Sequence, residues 1–258
     1  MSEIVVAKIG GSTFGAHDTA LEDVVELQRR GFRPVVVHGG GSLISDWLAR
    51  QNVPTRFERG LRVTDAESLR VVVAVLAGLV NKQIVAEVSS LGARAIGLSG
   101  VDGGLLRART IDPNLGFVGE ITGVDAATVD SLLEDGYIPV IAPIALEWEC
   151  DRPGAQLLNI NADSAAGAIA EALEARWLVL LTDVPGVRTG EGEIAESLSP
   201  REALKSIEAG VIEGGMIPKV RACLGAAHAG SKCLIVDGRQ EHALLRSIKG
   251  HMTGTTIA

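Results

Sequence analysis

Residues 4–12, IVVAKIGGS, place a short apolar run directly before two glycines. A run of this length and composition is typical of a strand buried on both faces, and the glycines predict the turn that ends it. The same arrangement recurs at residues 34–41, PVVVHGGG, and a helical pattern follows from about residue 42 to residue 51. Strands that alternate with helices predict an α/β fold with a mainly parallel sheet covered on both faces.

The rest of the chain continues this alternation. The pattern over 65–91 indicates one long helix that is broken near Gly78 or Asn81. A hairpin around Gly60 is expected over 57–64, and the alternation and glycines over 105–123 suit antiparallel strands. The remaining strands and helices are expected at about 93–98, 138–142, 177–181 and 232–236 for strands, and 20–30, 126–135, 161–173, 200–209 and 217–229 for helices.

The composition excludes several classes of protein. The formal net charge of the 258 residues is −8, and no run of Lys and Arg forms the basic face of a nucleic-acid-binding protein. The three cysteines form no CxxC pair, which favours a reducing cytoplasm over a disulfide framework. The first residues lack the apolar run of a signal peptide, and no stretch is expected to supply the about 20 apolar residues of a membrane span.

Two glycine-rich segments follow predicted strands and are candidate anion sites. In the first, Gly10 and Gly11 let the backbone approach a ligand closely, and Lys8 adds a full positive charge. In the second, Gly40 and Gly41 stand at the start of a predicted helix, whose backbone N–H groups attract anions. A phosphate is the natural ligand for both, although a simple strand-to-loop turn also explains the first segment.

Two side chains near these segments each have two interpretations. His38 is read as a histidine that holds the glycine loop, because no carboxylate stands near it in sequence to support a catalytic base. Arg62 suits bidentate capture of a carboxylate, and its alternative is a surface ion pair with Glu58 or Asp65.

The segment NINAD, residues 159–163, is unusually polar for a stretch that precedes an Ala-rich helix. Asp163 is able to cap that helix, but Asn159 and Asn161 point to the same side of an extended segment and add to the polar group. Lys219 falls in the first turn of another predicted helix, where the helix dipole disfavours a cation. Because the chain has only six lysines, a lysine in that position indicates an anion nearby.

Ten segments, in this order, carry a resemblance to a known family. They are KIGGS at 8–12, VVVHGGG at 35–41, GLRVT at 60–64, GLVNK at 78–82, GLSGVDGG at 97–104, GFVGE at 116–120, INADSAAGAIA at 160–170, LLTDVPGV at 180–187, GGMIPKV at 214–220 and DGR at 237–239. Because these segments run nearly from end to end, the chain resembles the amino acid kinase family, and within it the acetylglutamate kinases.

The resemblance implies a three-layer αβα sandwich with a central, mainly parallel sheet. Residues 1–175 would bind the acyl-amino acid and form a homodimer contact, and residues 176–258 would bind ATP. This boundary agrees with a new strand that follows a long helix near residues 172–178. Members that arginine inhibits carry an extra amino-terminal helix, and the start of this chain at its first strand suggests a plain dimer without arginine feedback.

The resemblance also implies site residues. Asp163 would orient Lys8 and Lys219, which neutralise the transferring phosphoryl group together with the backbone of Gly11. The implied substrate-binding residues are Gly40, Gly41, Arg62, Asn159 and Asn161. The implied nucleotide-binding residues are Lys8, Gly10, Gly11, Thr182, Asp183, Val184, Gly186, Val187, Val211, Ile212, Glu213 and Lys219.

The implied reaction is transfer of the γ-phosphoryl group of ATP to the side-chain carboxylate of N-acetyl-L-glutamate, a step of arginine biosynthesis. A carboxylate is ionised at neutral pH, so the reaction needs positioning and charge neutralisation, not a general base. Mg²⁺ would be carried by the ATP phosphates, and no protein metal site is expected.

Four classes of protein are alternatives to this assignment. A lysine-biosynthesis kinase for carrier-bound aminoadipate or glutamate needs basic surface and tends to lack the third glycine of HGGG, whereas this chain has Gly41 and few lysines. A non-catalytic nucleotide or amino acid sensor would be marked by loss of Lys8, Lys219 or Asp163, and all three are present. A Rossmann dehydrogenase is disfavoured because GxGxxG is absent, and carbamate, aspartate and uridylate kinases match GLRVT and INAD poorly.

Overall fold

The structure is a computed structural model of the chain, and it describes residues 3–10, 19–58, 60–148, 155–190, 192–251 and 254–258. Its strands are β1 (Ile4–Ile9), β2 (Arg33–His38), β3 (Phe57–Glu58), β4 (Leu61–Arg62), β5 (Ala95–Ser99), β6 (Leu106–Thr110), β7 (Val118–Val124), β8 (Ile138–Ala142), β9 (Ile144–Glu147), β10 (Leu157–Ile160), β11 (Trp177–Thr182), β12 (Ser197–Leu198), β13 (Lys232–Asp237) and β14 (Gly254–Ile257).

The helices alternate with these strands. They are α1 (Ala20–Arg29), α2 (Gly41–Arg50), α3 (Ala66–Val73), α4 (Asn81–Ser90), α5 (Ala127–Glu134), α6 (Ala162–Ala172), α7 (Pro200–Glu208), α8 (Met216–His228) and α9 (Ala243–Ile248). A π-helical segment, Ala74–Val80, joins α3 to α4, and short 3-10 turns lie at Asp102–Gly104 and Pro113–Leu115.

The central sheet confirms the predicted mainly parallel α/β fold. Its eight strands lie in the order β12-β14-β13-β11-β1-β2-β8-β5. The pairs from β13 to β5 are all parallel, and β14 runs antiparallel to β13. Because β11 pairs directly with β1, the sheet is continuous across the expected boundary at residues 175–176. The division into two lobes therefore stays a prediction about binding.

The two faces of the sheet carry separate hydrophobic layers, as in a three-layer sandwich. Side chains alternate along a strand, so Ile4 and Val6 of β1 join one buried cluster while Val5 and Ile9 join the other. The first cluster includes residues of α5, α6 and α8, and the second includes residues of α1, α4 and α9. Helices thus cover both faces, which explains why the strand sequences are almost wholly apolar.

A small closed barrel of β10, β7, β6 and β9 packs beside the main sheet. β6 and β7 are the antiparallel strands expected over 105–123, and β3 and β4 form the hairpin expected around Gly60. β9, β12, β14 and α9 were not predicted, because each is short and carries little periodic signal. The barrel places β10, and with it Asn159, near the carboxyl ends of β1 and β2.

The long helix is irregular at the expected place. The chain remains helical from Ala66 to Ser90, but the π-helical segment Ala74–Val80 interrupts the α-helix, which resumes at Asn81. By length and composition, Ala66–Ser90 is the one helix in the described ranges that is long and apolar enough to cross a membrane. The expectation that no stretch would be apolar enough is therefore wrong for this helix. Val72, Leu76 and Val88 are buried against the sheet, which is the pattern of a core helix.

Candidate active site

Lys8, Asp163 and Lys219 come together from three separate elements. Side chains alternate along β1, so Lys8 faces the same side as Ile4 and Val6, the side that α6 and α8 cover. Asp163 lies in the first turn of α6, and Lys219 lies in the first turn of α8. The topology thus directs two ammonium groups and one carboxylate to a single point.

The close packing of α6 against α8 makes this meeting possible. A Cβ atom on Gly167 would lie 2.8 Å from the backbone of Ala222, so only glycine lets the two helices approach this closely. Gly167 follows Asp163 by four residues, and Ala222 follows Lys219 by three. The contact therefore sets the separation of the two helix starts that carry the charged groups.

The carboxylate of Asp163 bridges the two lysines. Nζ of Lys219 donates a hydrogen bond of 2.7 Å to Oδ2, and Nζ of Lys8 lies 3.0 Å from Oδ1. The Lys8 contact is an ion pair without hydrogen-bond alignment, and Oδ1 has no hydrogen-bond donor within the described residues. Lys8 and Asp163 are buried and Lys219 is partly buried, with exposed side-chain fractions of 10% for Lys8, 5% for Asp163 and 15% for Lys219.

Burial and mutual charge set the protonation of this group. Burial lowers the pKa of Lys8, and the neighbouring Lys219 lowers it further, while Asp163 opposes both effects. Burial acts to raise the pKa of Asp163, but the two ammonium groups outweigh it and hold the pKa below its usual value. Asp163 is therefore ionised at neutral pH and acts as a fixed anion, not as a proton carrier.

A cavity of about 210 Å³ opens beside this group. It brings together every predicted substrate-binding residue: Gly40, Gly41, Arg62, Asn159 and Asn161. Its remaining lining is Lys8, Gly39, Ile44, Phe57, Gly60, Leu61, Leu76, Val118, Pro143, Ile160, Ala162 and Asp163. The cavity is thus polar at the lysine end and partly aliphatic along its wall.

Arg62 is a buried guanidinium that faces this cavity. It donates from Nη2 to the carbonyl of Gly41 at 2.7 Å and to Oγ of Ser45 at 2.9 Å, and it lies 4.7 Å from the centre of the Phe57 ring. The alternative of a surface ion pair is wrong, because Arg62 is 7% exposed and pairs with no carboxylate in the described part of the chain. Burial lowers the pKa of Arg62, and a carboxylate ligand would offset that cost.

The two asparagines of the NINAD segment have different structural partners. Oδ1 of Asn161 accepts from the backbone N–H groups of Asp163 and Ser164, so Asn161 is the N-cap of α6. The reading of Asp163 as the cap is wrong, because the lysines engage its carboxylate. Asn159 donates from Nδ2 to Oγ1 of Thr64 at 3.1 Å.

The predicted nucleotide segments meet at a second cavity of about 210 Å³. Its lining consists of Val184, Gly186, Val187, Arg188, Val211, Ile212, Glu213 and Met216. Thr182 and Asp183 lie outside that lining, at the end of β11, where Oγ1 of Thr182 donates to Oδ1 of Asp183 at 3.2 Å. Gly10 is buried directly after β1, and Gly11 lies outside the described residues.

The sequence profile of the amino acid kinase family matches residues 3–237. The chain belongs to the amino acid kinase family. A curated acetylglutamate kinase of Dehalococcoides mccartyi is 43% identical over 257 residues, which cover 99% of this chain and 94% of that protein. An acetylglutamate kinase of Thermosynechococcus vestitus is 46% identical over 251 residues, covering 94% of this chain and 83% of that protein.

A solved structure agrees with these sequence relatives. The crystal structure of smu.665 from Streptococcus mutans superposes on this amino acid kinase with a TM-score of 0.85 at 31% identity, and the match covers 100% of this chain and 99% of that one. The two proteins therefore share this fold over the full length of the chain.

Several side chains of this amino acid kinase near the site were not predicted. Ile44, Leu76 and Pro143 line the first cavity, and Arg188 and Met216 line the second. Met216 lies within GGMIPKV and Leu76 lies just before GLVNK, but an apolar residue in a core-like pattern carries no separate signal for a cavity wall. Their positions in the cavity walls follow only from the folded structure.

His38 has the structural role that the sequence predicted. It is fully buried, with Nδ1 lying 3.0 Å from the carbonyl of Gly39 and Nε2 lying 3.2 Å from Nδ2 of Asn81. A tautomer with the proton on Nδ1 satisfies both contacts. Burial lowers the pKa of His38 to about 4, so the ring is neutral at pH 7 and holds the loop that carries Gly40.

A third cavity of this amino acid kinase lies apart from the candidate active site. This larger cavity of about 760 Å³ lies between α1 and α9 and includes none of the predicted site residues. Across the described ranges, no group of three or more His, Cys, Asp and Glu side chains is able to hold a metal ion.

Proposed function

We propose that this amino acid kinase is an acetylglutamate kinase that transfers the γ-phosphoryl group of ATP to the side-chain carboxylate of N-acetyl-L-glutamate. The observation that carries the proposal is the meeting of Lys8 and Lys219 on Asp163 beside a cavity that contains Arg62. The curated relatives that bear this name, at 43% and 46% identity, support the choice of substrate.

The first cavity suits the acyl-amino acid. The guanidinium of Arg62 would bind the α-carboxylate through the N–H groups that it does not donate to Gly41 and Ser45, because its charge has no carboxylate partner among the described residues. Asn159 would bind the amide of the acetyl group or the carboxylate beside it. The aliphatic wall of Ile44, Leu76 and Val118 would pack against the acetyl methyl and the side-chain methylenes.

The lysine end of the cavity suits the transferring group. An oxygen of the substrate carboxylate would attack the γ-phosphorus, the bond to the β-phosphate oxygen would break, and an acyl phosphate and ADP would result. Negative charge spreads over the phosphoryl oxygens in the transition state, and the ammonium groups of Lys8 and Lys219 would neutralise it. Asp163 would hold both ammonium groups in place.

Backbone N–H groups would complete the phosphoryl site. Gly40 is the N-cap of α2 and has no side chain that satisfies the helix N-terminus. A Cβ atom at Gly40 would lie 2.7 Å from Cδ2 of Leu76, so a side chain at this position would displace Leu76. Gly41, Gly10 and Gly11 are proposed to donate in the same way.

The second cavity is proposed to hold the nucleoside of ATP. The residues assigned to nucleotide binding are Gly10, Gly11, Thr182, Asp183, Val184, Gly186, Val187, Val211, Ile212 and Glu213, together with the two lysines. Mg²⁺ would be carried by the ATP phosphates, as is usual for this ion. When bound there, Mg²⁺ would neutralise phosphate charge and orient the β- and γ-phosphates.

The proposal extends to lobes, assembly and location. Residues 1–175 would bind the acyl-amino acid and residues 176–258 would bind ATP.

β5 is the last strand of the eight-stranded sheet, and its outer edge has no strand partner in the described part of the chain. An open edge of this kind supports a homodimer contact through the first lobe. A cytoplasmic enzyme is proposed, consistent with the cysteine usage.

An ATP-consumption assay tests the substrate. The purified chain is given ATP and Mg²⁺ with N-acetyl-L-glutamate, free glutamate or aminoadipate in parallel, and hydroxylamine traps any acyl phosphate as a hydroxamate. We expect hydroxamate only with N-acetyl-L-glutamate. Equal or greater turnover with another acceptor, or turnover only when aminoadipate or glutamate is presented on a carrier protein, would falsify the proposal.

A further inference from the structure

Thr64 is a buried threonine whose hydroxyl contacts both the backbone carbonyl of Arg62 and the side chain of Asn159. It is fully buried, and its backbone pairs with the neighbouring turn: its N–H donates to the carbonyl of Leu115 at 2.9 Å, and its carbonyl accepts from Phe117 at 2.7 Å. The N–H of Asn159 in turn donates to the carbonyl of Phe117 at 2.9 Å. These backbone contacts hold Thr64 beside β10.

Gly116 is required for this approach. It has a φ angle of +70°, which side-chain-bearing residues rarely adopt, and a Cβ atom there would collide with the carbonyl oxygen of Thr64. The position of Thr64 is therefore set by the chain around it, and its hydroxyl has little freedom to move away from Asn159.

The hydroxyl of Thr64 has a single hydrogen, and that hydrogen has a partner. Oγ1 donates to the carbonyl of Arg62 at 2.8 Å, so it is left with lone pairs alone for its second contact. Nδ2 of Asn159 lies 3.1 Å from the same oxygen and donates to it. With the amide reversed, Oδ1 of Asn159 would face the hydroxyl oxygen, acceptor against acceptor.

We propose that Thr64 is a positioning residue that fixes the orientation of the Asn159 amide for the acyl-amino acid. With Nδ2 held by Thr64, Asn159 presents Oδ1 and its second N–H to the remaining surroundings, which include the cavity. One acceptor beside one donor complements a ligand that carries an amide N–H next to a carboxylate. The hydrogen bond from this hydroxyl to the carbonyl of Arg62 keeps the hydroxyl proton away from Asn159. This inference rests on the proposed function.

Three variants separate the hydroxyl from the packing of the residue. Thr64→Val keeps the shape and removes the hydroxyl, and it is expected to raise the KM for N-acetyl-L-glutamate about tenfold, the factor typical of one lost hydrogen bond. The KM for ATP stays at the wild-type value. Thr64→Ser restores the hydroxyl and returns the KM to within about twofold of the wild type. Thr64→Ala is measured in parallel, because it also lacks the hydroxyl and can be compared with Thr64→Ser if Thr64→Val does not fold.

Thr255 offers a matched control. It is also fully buried, and its hydroxyl also donates to one carbonyl, that of Ala195 at 2.7 Å, and accepts from one N–H, that of Val187 at 2.8 Å. Thr255→Val therefore removes an equivalent hydroxyl away from the first cavity. We expect it to leave the KM for N-acetyl-L-glutamate unchanged, which separates a local effect from a general loss of stability.

A double-mutant cycle tests whether Thr64 acts through Asn159. In an Asn159→Ala background, Thr64→Val is expected to cause little further rise in KM, because the amide that it positions is gone. Three outcomes would overturn the inference while leaving the proposed function standing. They are a wild-type KM in both Thr64→Val and Thr64→Ala, a failure of Thr64→Ser to restore binding, and full additivity of the two substitutions in the cycle. A wild-type protein that does not phosphorylate N-acetyl-L-glutamate overturns the proposed function, and this inference with it.

Discussion

Nζ of Lys219 lies 2.7 Å from Oδ2 of Asp163, although 56 residues separate the two in the chain. The contact explains why a lysine occupies the first turn of α8, where the helix dipole disfavours a cation. Asp163 occupies the first turn of α6, where the dipole favours an anion. Packing of the two helices thus lets the carboxylate compensate the unfavourable placement of the ammonium group.

Lys219→Ala is expected to lower kcat by at least about 100-fold, the effect of losing one oriented donor to a transition-state oxyanion. The fold is expected to survive, because Lys8 still pairs with Asp163. Steady-state kinetics and circular dichroism measure the two effects. Lys205→Ala, at an exposed lysine of α7, is the control and should have wild-type turnover. Near-normal turnover of Lys219→Ala would remove the basis of the proposed mechanism.

Asp163→Asn should cost both activity and stability. The substitution keeps the shape but leaves two buried ammonium groups without their common carboxylate, and breaking a buried pair in this way costs on the order of 3 kcal/mol. The free energy of unfolding is measured by urea titration at pH 7. Lys219→Met in the Asp163→Asn background should recover part of the loss, since one unbalanced charge is then removed. A double variant that is less stable than Asp163→Asn would contradict the electrostatic explanation.

The stabilisation by Asp163 also has a defined pH dependence. Because the lysines hold the pKa of this carboxyl below 3.8, the contribution is fully present above that value and is lost as the pH falls through the lower folded-state pKa. The difference in unfolding free energy between wild type and Asp163→Asn should therefore shrink only in strongly acidic solution. Shrinkage that begins near pH 6 would assign the effect to another group.

Six strands of the central sheet, namely β1, β2, β5, β8, β11 and β13, could be predicted because each is a short apolar run. The bounds expected for the first strand, residues 4–9, are those of β1, since a strand buried on both faces tolerates few polar residues. The closed barrel could not be predicted as a unit. β10 pairs with both β7 and β9, and such non-local pairing depends on contacts that a local pattern does not contain.

The site was predictable in its residue types but not in its contacts. The polarity of NINAD indicates a functional segment, yet both Asn161 and Asp163 are suitable helix caps. The lysines decide between them, because they engage the carboxylate of Asp163 and leave the cap to Asn161. Likewise, sequence alone left a surface ion pair open as the alternative for Arg62. Only the folded chain shows the guanidinium buried beside Gly41 and Ser45.

Arg62→Ala is expected to raise the KM for N-acetyl-L-glutamate by about 10- to 100-fold, the range for a charged hydrogen-bonded contact. The KM for ATP should not change, because the guanidinium lies in the first cavity. Arg62→Lys should recover binding only in part, since an ammonium group lacks the planar array of N–H donors of a guanidinium. Arg50→Ala, at an exposed arginine of α2, is the control. Equal increases in both KM values would show that Arg62 supports the fold and not the acyl-amino acid.

His38 predicts how the stability of the whole chain responds to mild acid. Burial lowers its pKa in the folded state from 6.5 to about 4, so between these values the unfolded chain binds a proton that the folded chain does not. Its contribution is present above pH 6.5 and is lost as the pH falls toward 4. The wild-type protein should therefore lose about 2 kcal/mol from this residue between pH 7 and pH 5.

His38→Gln tests this assignment, because glutamine offers an oxygen to Asn81 but does not titrate. Urea unfolding of both proteins at pH 7, 6 and 5 gives the difference in pH dependence. His242, whose pKa is raised by its hydrogen bond to Asp23, shifts stability in the opposite direction but is present in both proteins, so its effect cancels in the difference. The variant should lose about 2 kcal/mol less than wild type over this range. Parallel pH profiles for the two proteins would mean that His38 is accessible to protons in the folded state, and that the loop carrying Gly40 is not held by a buried neutral ring.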